Sequence, residues 1–348
     1  MKLSLLKILF ISHKLKYLLI TAVFLMSGVF LGQKVLAQTE TIPAPFVDVS
    51  NISPYYVSIS YLKEKGFITG YEDSTFIPDA RINKVEALRL ILTSAQVVSD
   101  EAFKPFYPDV TDGQWFTSFV IKAHHLGIVK GNEDGMFRPA EQVKLAEFLK
   151  MLLIAHNIDV ASVHGRVIIP NIAPADWFAD YLNYAVELGI LSLTSEGTLD
   201  PAKVLSRGEV ADMIYLLLVM KQGNDPNFLL VQAKAQLAQI EVYVTANDVH
   251  LAKNASELAV QFTQQAYKSD PLDPIILGDA KLARAYDWLV DSIMLGIQKK
   301  NEEASQKANE AIDKATEAWE VNHDTQPLAA HIKEKAREIL VQVGGVEG

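Results

Sequence analysis

Three short runs combine a carboxylate with a cation or a small polar residue at one spacing: Asn83-Lys84-Val85-Glu86, Lys144-Leu145-Ala146-Glu147 and Ser206-Arg207-Gly208-Glu209. Ser or Asn followed by Glu three positions later is a capping box. Each side chain accepts a hydrogen bond from a backbone N–H that a helix start leaves unpaired. Asn83, Ser206, Glu86, Glu147 and Glu209 therefore read as structural caps rather than as acids or bases of a reaction. The middle run carries Lys144 at the cap position and has lost its cap. Lys84 and Arg207 are of a different kind. They occupy the first helical position, which is expected to point outward, and positive charge there opposes the helix dipole. A cation kept against that preference suggests an anionic partner; the alternative is an ordinary solvated side chain.

Little else in the chain could carry catalysis. There is no G-x-S-x-G, no H-E-x-x-H, no phosphate loop and no dinucleotide fingerprint. The eight histidines are scattered, with His124-His125 and His156 at predicted helix ends. Glu302-Glu303 lie in a charge-rich segment and read as a solvated face. Asp73 and Asp134 sit in turn-forming loops without the alternating ligands of a calcium loop. No metal or other cofactor is expected, and the chain reads as a non-enzyme; a hydrolase built on the C-terminal third is the alternative that measured turnover would revive. The absence of cysteine excludes disulfides, thiolate metal sites and a cysteine-linked lipid. A formal net charge of -10 argues against nucleic acid as a partner. An anionic polymer is compatible only through local cations.

The elements that would position these residues recur. Phe46-Val47-Asp48-Val49 returns as Tyr107-Pro108-Asp109-Val110 and as Ile169-Pro170-Asn171-Ile172, at steps of 61 and 62 residues. Gly66, Gly127 and Gly189 keep those steps, as do Pro78, Pro139 and Pro201, and the three glutamates. A fixed period of this size marks stacked structural units. Each unit reads as helix, loop, helix. In the second, an amphipathic run opens at Trp115-Phe116 and ends at Gly127, and a turn-rich loop from Gly131 to Gly135 leads through Phe137 and Pro139 to a helix over about 143–156. The glycines after each first helix fit left-handed helix ends.

The repeats resemble S-layer homology domains, whose units run F-x-D-V, W-A, G-[IV]-[IV]-x-G, D-G-x-F-x-P and T-R-A-E. The second copy carries Asp109-Val110, Trp115, Gly127-Ile128-Val129-Lys130-Gly131 and Asp134-Gly135-Met136-Phe137-Arg138-Pro139. The first keeps Gly66-Phe67-Ile68-Thr69-Gly70 and Phe76-Ile77-Pro78, and the third Trp177 and Gly189-Ile190-Leu191. The resemblance implies an all-α, pseudo-threefold unit that binds a secondary cell-wall polysaccharide or another peptidoglycan-linked polymer, often pyruvylated, in grooves between repeats. It implies Lys84 and Arg207 as anion contacts, with Lys144 a loose substitute where Leu145 replaces the cation. It further implies Gly70 and Gly131 as close-approach positions and Trp115 and Trp177 as groove residues. Core placement of both tryptophans is the competing reading. Departures are Lys84 for arginine, Leu145, Leu193 for the second glycine, Asn171 for the aspartate, and Pro54 where the others have tryptophan.

The flanks complete the plan. Basic residues Lys2 to Lys16, an apolar run from Tyr17 to Leu31 and Val35-Leu36-Ala37 read as a signal peptide over 1–37, or as an uncleaved anchor. The repeats span 46–100, 106–160 and 168–222. After Gly223-Asn224-Asp225-Pro226, residues 226–348 are expected to form an antiparallel helical hairpin with a third, shorter helix. A heptad seam, with Asn247 and Asn254 as polar interruptions, should run through one helix over about 228–267. A second helix over about 278–320 should carry a narrow seam of Ala304, Ala308, Ala311, Ala315 and Ala318. The expected protein is secreted and held at the cell surface by wall polymer. The alternative is a self-associating envelope scaffold that binds no glycan.

Overall fold

The computed structural model describes residues 44–98, 106–160 and 167–344, so the expected leader over 1–37 lies outside the described residues. The fold is all-α. Among the described residues the only extended pairing is three isolated antiparallel bridges. Two compact units follow one another in the chain, Ala44–Gln222 and the segment from Gly223 onward.

Among its described residues the first unit holds six α-helices, two per repeat: α1 Tyr56–Glu64 and α2 Lys84–Ser94, α3 Thr117–His125 and α4 Leu145–Ala155, α5 Ala179–Glu187 and α6 Arg207–Lys221. Each first helix ends in the same way. Gly66, Gly127 and Gly189 take φ values of 74°, 70° and 69°. Their N–H groups, and those of Phe67, Ile128 and Ile190 after them, close back onto carbonyls of the last turn. This double closure needs a left-handed residue, which glycine adopts without a Cβ penalty.

The repeats interlock in a circle. The first helix of each repeat packs on the second helix of the repeat before it: α3 on α2, α5 on α4, and α1 on α6, which closes the ring. The bridges obey the same rotation: Asn83 with Gln142, Lys144 with Val204, and Ser206 with Arg81. At the centre Val143 N–H donates to Ile82 O, Leu205 N–H to Val143 O, and Ile82 N–H to Leu205 O, at 3.1–3.2 Å. One layer further out, Pro78, Pro139 and Pro201 lend their carbonyls to Gly208, Val85 and Ala146, in the first turn of a neighbouring repeat's second helix. The free N–H groups of a helix start are thus satisfied across the repeat boundary as well as by the cap. Ile59, Leu62, Leu88, Ile91, Phe148, Leu149 and Leu217 are fully buried in this unit. Each such side chain contributes about 1.5–3 kcal/mol on leaving water.

The second unit differs from the expected hairpin plus one helix. Among its described residues it contains five α-helices, α7 Pro226–Thr245, α8 Val249–Ser269, α9 Pro274–Ile297, α10 Asn301–Val321 and α11 Gln326–Val343, with a short 3-10 turn at His323–Thr325 between the last two. Both long predicted helices are broken by turns that contain neither Gly nor Pro. Asn247 adopts φ 60° and Asp248 caps α8 by accepting from Leu251 N–H. Lys299, at φ 62°, makes the equivalent break before α10. Asn247 is therefore a turn residue, not an interruption in a continuous seam. The five alanines of α10 are fully buried, and α10 packs extensively on α9. Close approach is also visible at Gly278, where a Cβ would lie 2.3 Å from Asn322 Cβ.

Candidate interface between the repeats

The circular docking creates three seams: 1–2 between repeats one and two, 2–3 between two and three, and 3–1 where the ring closes. Every sequence-predicted site residue lies on one of them or on the loop beside it.

The helix starts are capped as their residues dictate. Glu86 N–H donates to Asn83 Oδ1 and Asn83 N–H to Glu86; Glu209 N–H donates to Ser206 Oγ and Ser206 N–H to Glu209. In the second repeat only the glutamate half persists, with Lys144 N–H 3.4 Å from Glu147 Oε2. Burial alone would raise the Glu209 carboxyl, but Lys203 at 2.6 Å and Ser206 hold it below its ordinary range.

Lys84 and Arg207 do not point outward. They are 8% and 9% exposed. The reason is the interlock: a neighbouring loop lies over each helix start and covers the first helical position. Arg207 Nε donates to Phe76 O at 2.8 Å, and the guanidinium lies over the rings of Tyr71 and Phe76 at 4.8 and 4.7 Å. Lys84 Nζ donates to Phe137 O at 3.1 Å, lies 5.5 Å from the Phe137 ring centre and pairs with Glu141. The carbonyl and the π face compensate the unfavourable dipole. Seam 2–3 replaces both partners: Leu145 stands for the cation and Leu199 for the phenylalanine, and both are buried. Lys144 is exposed beside it.

Gly70 and Gly131 are close-approach positions, but the atoms that approach come from the protein itself. A Cβ at Gly70 would lie 2.4 Å from the Phe46 ring, and one at Gly131 2.4 Å from the Tyr107 ring. In the third repeat the ring becomes Ile169 and the glycine Leu193, a paired change that sequence reading missed. Asp48 and Asp109 fix the same loops. Each carboxylate accepts two successive N–H groups, from Phe76 and Ile77 or from Phe137 and Arg138, at 2.6–2.9 Å. Ile77 and Arg138 take φ values of 55° and 58°, a conformation these bonds stabilise. Asn171 accepts one such bond and donates another.

Trp115 and Trp177 are not core residues. They are 52% and 55% exposed. Trp115 packs edge-on against Phe116 and holds the Arg89 guanidinium 5.7 Å from its ring centre; Trp177 packs against Phe178 with Lys150 Nζ at 5.2 Å. Seam 3–1 differs. Pro54 replaces the tryptophan, and Asp212 occupies the position of Arg89 and Lys150. Tyr55, packed over Gly208, has Glu209, Asp212 and Asp79 near enough to act on its hydroxyl, which burial and these charges push up. Burial pushes the Asp212 carboxyl up to about 6 despite a hydrogen bond from Ser58. Arg89 and Lys150 went unnoticed as site residues, although their shared 61-residue offset was a usable signal.

Asp73 and Asp134 close their own loops by accepting from Thr75 and Met136 N–H. Among the described residues no group of three or more His, Cys, Asp or Glu is gathered where it could hold a metal, and no helix is long and apolar enough to cross a membrane.

Residues 45–88, 106–149 and 172–211 each match the S-layer homology domain family. Among curated proteins, an S-layer protein of Bacillus thuringiensis subsp. finitimus is 27% identical over 228 residues, 65% of this chain and 26% of the relative. S-layer protein sap of Bacillus anthracis is 28% identical over 249 residues, 69% of this chain and 30% of the relative. A weaker match, an uncharacterized cell wall amidase of Bacillus anthracis, is 25% identical over 179 residues, 51% of this chain and 32% of the relative. The chain thus spans less than a third of the length of these relatives.

Proposed function

Since the chain carries three S-layer homology domains in one closed ring, we propose that this ring anchors an exported, non-enzymatic protein at the cell surface by binding an anionic wall polymer in the seams between repeats. The observation that carries this reading is the pair of half-exposed tryptophans, Trp115 and Trp177, at equivalent positions of seams 1–2 and 2–3. A large indole face left in water on an acidic chain fits the apolar face of a sugar ring, and the polar edge of the indole suits a wet site. Lys144, exposed at the start of α4, supplies positive charge at seam 2–3. Lys84 and Arg207 act from beneath. They hold the Phe137 and Phe76 loops against the helix starts and so keep the seams shaped before ligand arrives. Preorganisation of this kind reduces the ordering cost of binding.

The test is sedimentation of the full chain with purified wall sacculi, before and after removal of the non-peptidoglycan polymer. Binding to intact sacculi and its loss after stripping is the expected result. Equal binding to both, or none to either, overturns the polymer as ligand. Sheets or particles that form without wall would favour the self-assembling scaffold instead.

A further inference from the structure

Arg89 and Lys150 share one position in the repeat, five residues after Lys84 and Leu145, and the third repeat places Asp212 there at the same offset. Trp115 and Trp177 likewise share a position, with Pro54 as the first repeat's counterpart. The two substitutions fall on the same seam. The first helix of repeat one packs on the second helix of repeat three, so Pro54 and Asp212 both belong to seam 3–1. Seams 1–2 and 2–3 each pair a half-exposed indole with a cation within 6 Å of its face. Arg89 is exposed and Lys150 partly so, unlike the covered Lys84 and Arg207. Seam 3–1 offers neither half of the pair. Its cations are committed within the protein, Arg207 to Phe76 and Tyr71, Arg81 to the Val204 carbonyl and Lys203 to Glu209, and Asp79 and Asp212 lie near Tyr55.

We infer that the ring has two binding sites, not three: Trp115 with Arg89 and Trp177 with Lys150 each receive one acidic sugar, while Pro54 and Asp212 disarm seam 3–1. This rests on the polymer-binding reading above. In each site the indole stacks on the sugar ring and the adjacent cation meets its carboxylate or phosphate. Held against a ring, the cation is already oriented and partly desolvated, which favours a charge-assisted contact. At seam 3–1 an acidic sugar would meet like charge, which is repulsive at short range.

Calorimetric titration of the full chain with short fragments of purified wall polymer tests this. Two sites per chain are expected. Arg89→Gln and Lys150→Gln should each weaken one site by roughly tenfold or more, the scale of one charge-assisted contact. Arg89→Lys should retain both sites. Asp212→Asn should leave the count at two. Melting temperatures near wild type would show that the exposed variants remain folded. A count of one or three, or wild-type affinity in Arg89→Gln and Lys150→Gln, overturns the two-site assignment while leaving wall binding intact. A wild-type chain that binds neither fragments nor sacculi removes the polymer-binding reading itself, and this assignment with it.

Discussion

Arg207 of the third repeat donates Nε to the carbonyl of Phe76 in the first repeat at 2.8 Å, and its guanidinium lies 4.7 Å from the centre of the Phe76 ring. The two residues are 131 positions apart in the chain and fasten the point at which the ring of repeats closes.

That contact makes Arg207 a structural clamp. Arg207→Ala should destabilise the first unit by about 2 kcal/mol, the scale of one hydrogen bond to a charged group plus a covered cation–π contact. Arg207→Lys should recover part of this, since it keeps the charge but loses the planar fork. Chemical denaturation of the full chain measures both. An alanine variant as stable as wild type would show that the side chain faces solvent.

Gly70→Ala and Gly131→Ala should be more damaging than their surface location suggests. Each residue has φ near 70°, and the new Cβ would meet a buried aromatic ring at 2.4 Å. The backbone term alone costs about 1–2 kcal/mol, and displacement of Phe46 or Tyr107 adds to it. Thermal melts that match wild type would mean that the rings yield freely, and would reopen these positions to a ligand.

His156 gives the first unit a defined response to acid. Its Nδ1 lies 3.4 Å from Lys221 Nζ and its Nε2 3.2 Å from Ser94 Oγ, which itself donates to Ile91 O. The ammonium can only donate, so the ring is neutral with its proton on Nε2. Burial, with Lys221 adding to it, holds the His156 pKa down to about 4 against 6.5 for a free imidazole. Above pH 6.5 folded and unfolded chains both carry a neutral ring. As pH falls from 6.5 towards 4 the unfolded ring gains a proton that the folded one refuses, and about 3 kcal/mol of stability is lost. Asp212, raised to about 6, works with opposite sign, because its stabilising protonated form is lost as pH rises. The clean readout is therefore the difference between wild type and His156→Gln: the variant should lose less stability than wild type between pH 7 and pH 4.5. Parallel curves would remove His156 as the source.

Much of the fold was legible because repeated residues repeat their environments. The glycines after the first helices, the capping boxes and the alanines of α10 each obey a local rule, and each sits where that rule puts it. What escaped was relational. The first position of an isolated helix faces water, so Arg207 read as exposed; only the neighbouring repeat, laid over α6, buries it. Gly70 read as a place for a sugar because the Phe46 ring, 24 positions earlier, could not be seen to fill that space. Asn247-Asp248 read as polar positions in one long helix because neither Gly nor Pro marks the turn. A left-handed Asn followed by a capping Asp is the signal that was there to use.

The central claim is that wall polymer lies on Trp115 and Trp177. The most direct test is the affinity of the Trp115→Ala/Trp177→Ala variant for purified sacculi, measured beside wild type in the same buffer. Both indoles are half exposed, so the variant should melt close to wild type. Loss of two stacking contacts at roughly 1 kcal/mol or more each should weaken binding at least about tenfold. A folded variant that binds sacculi as tightly as wild type would contradict the account.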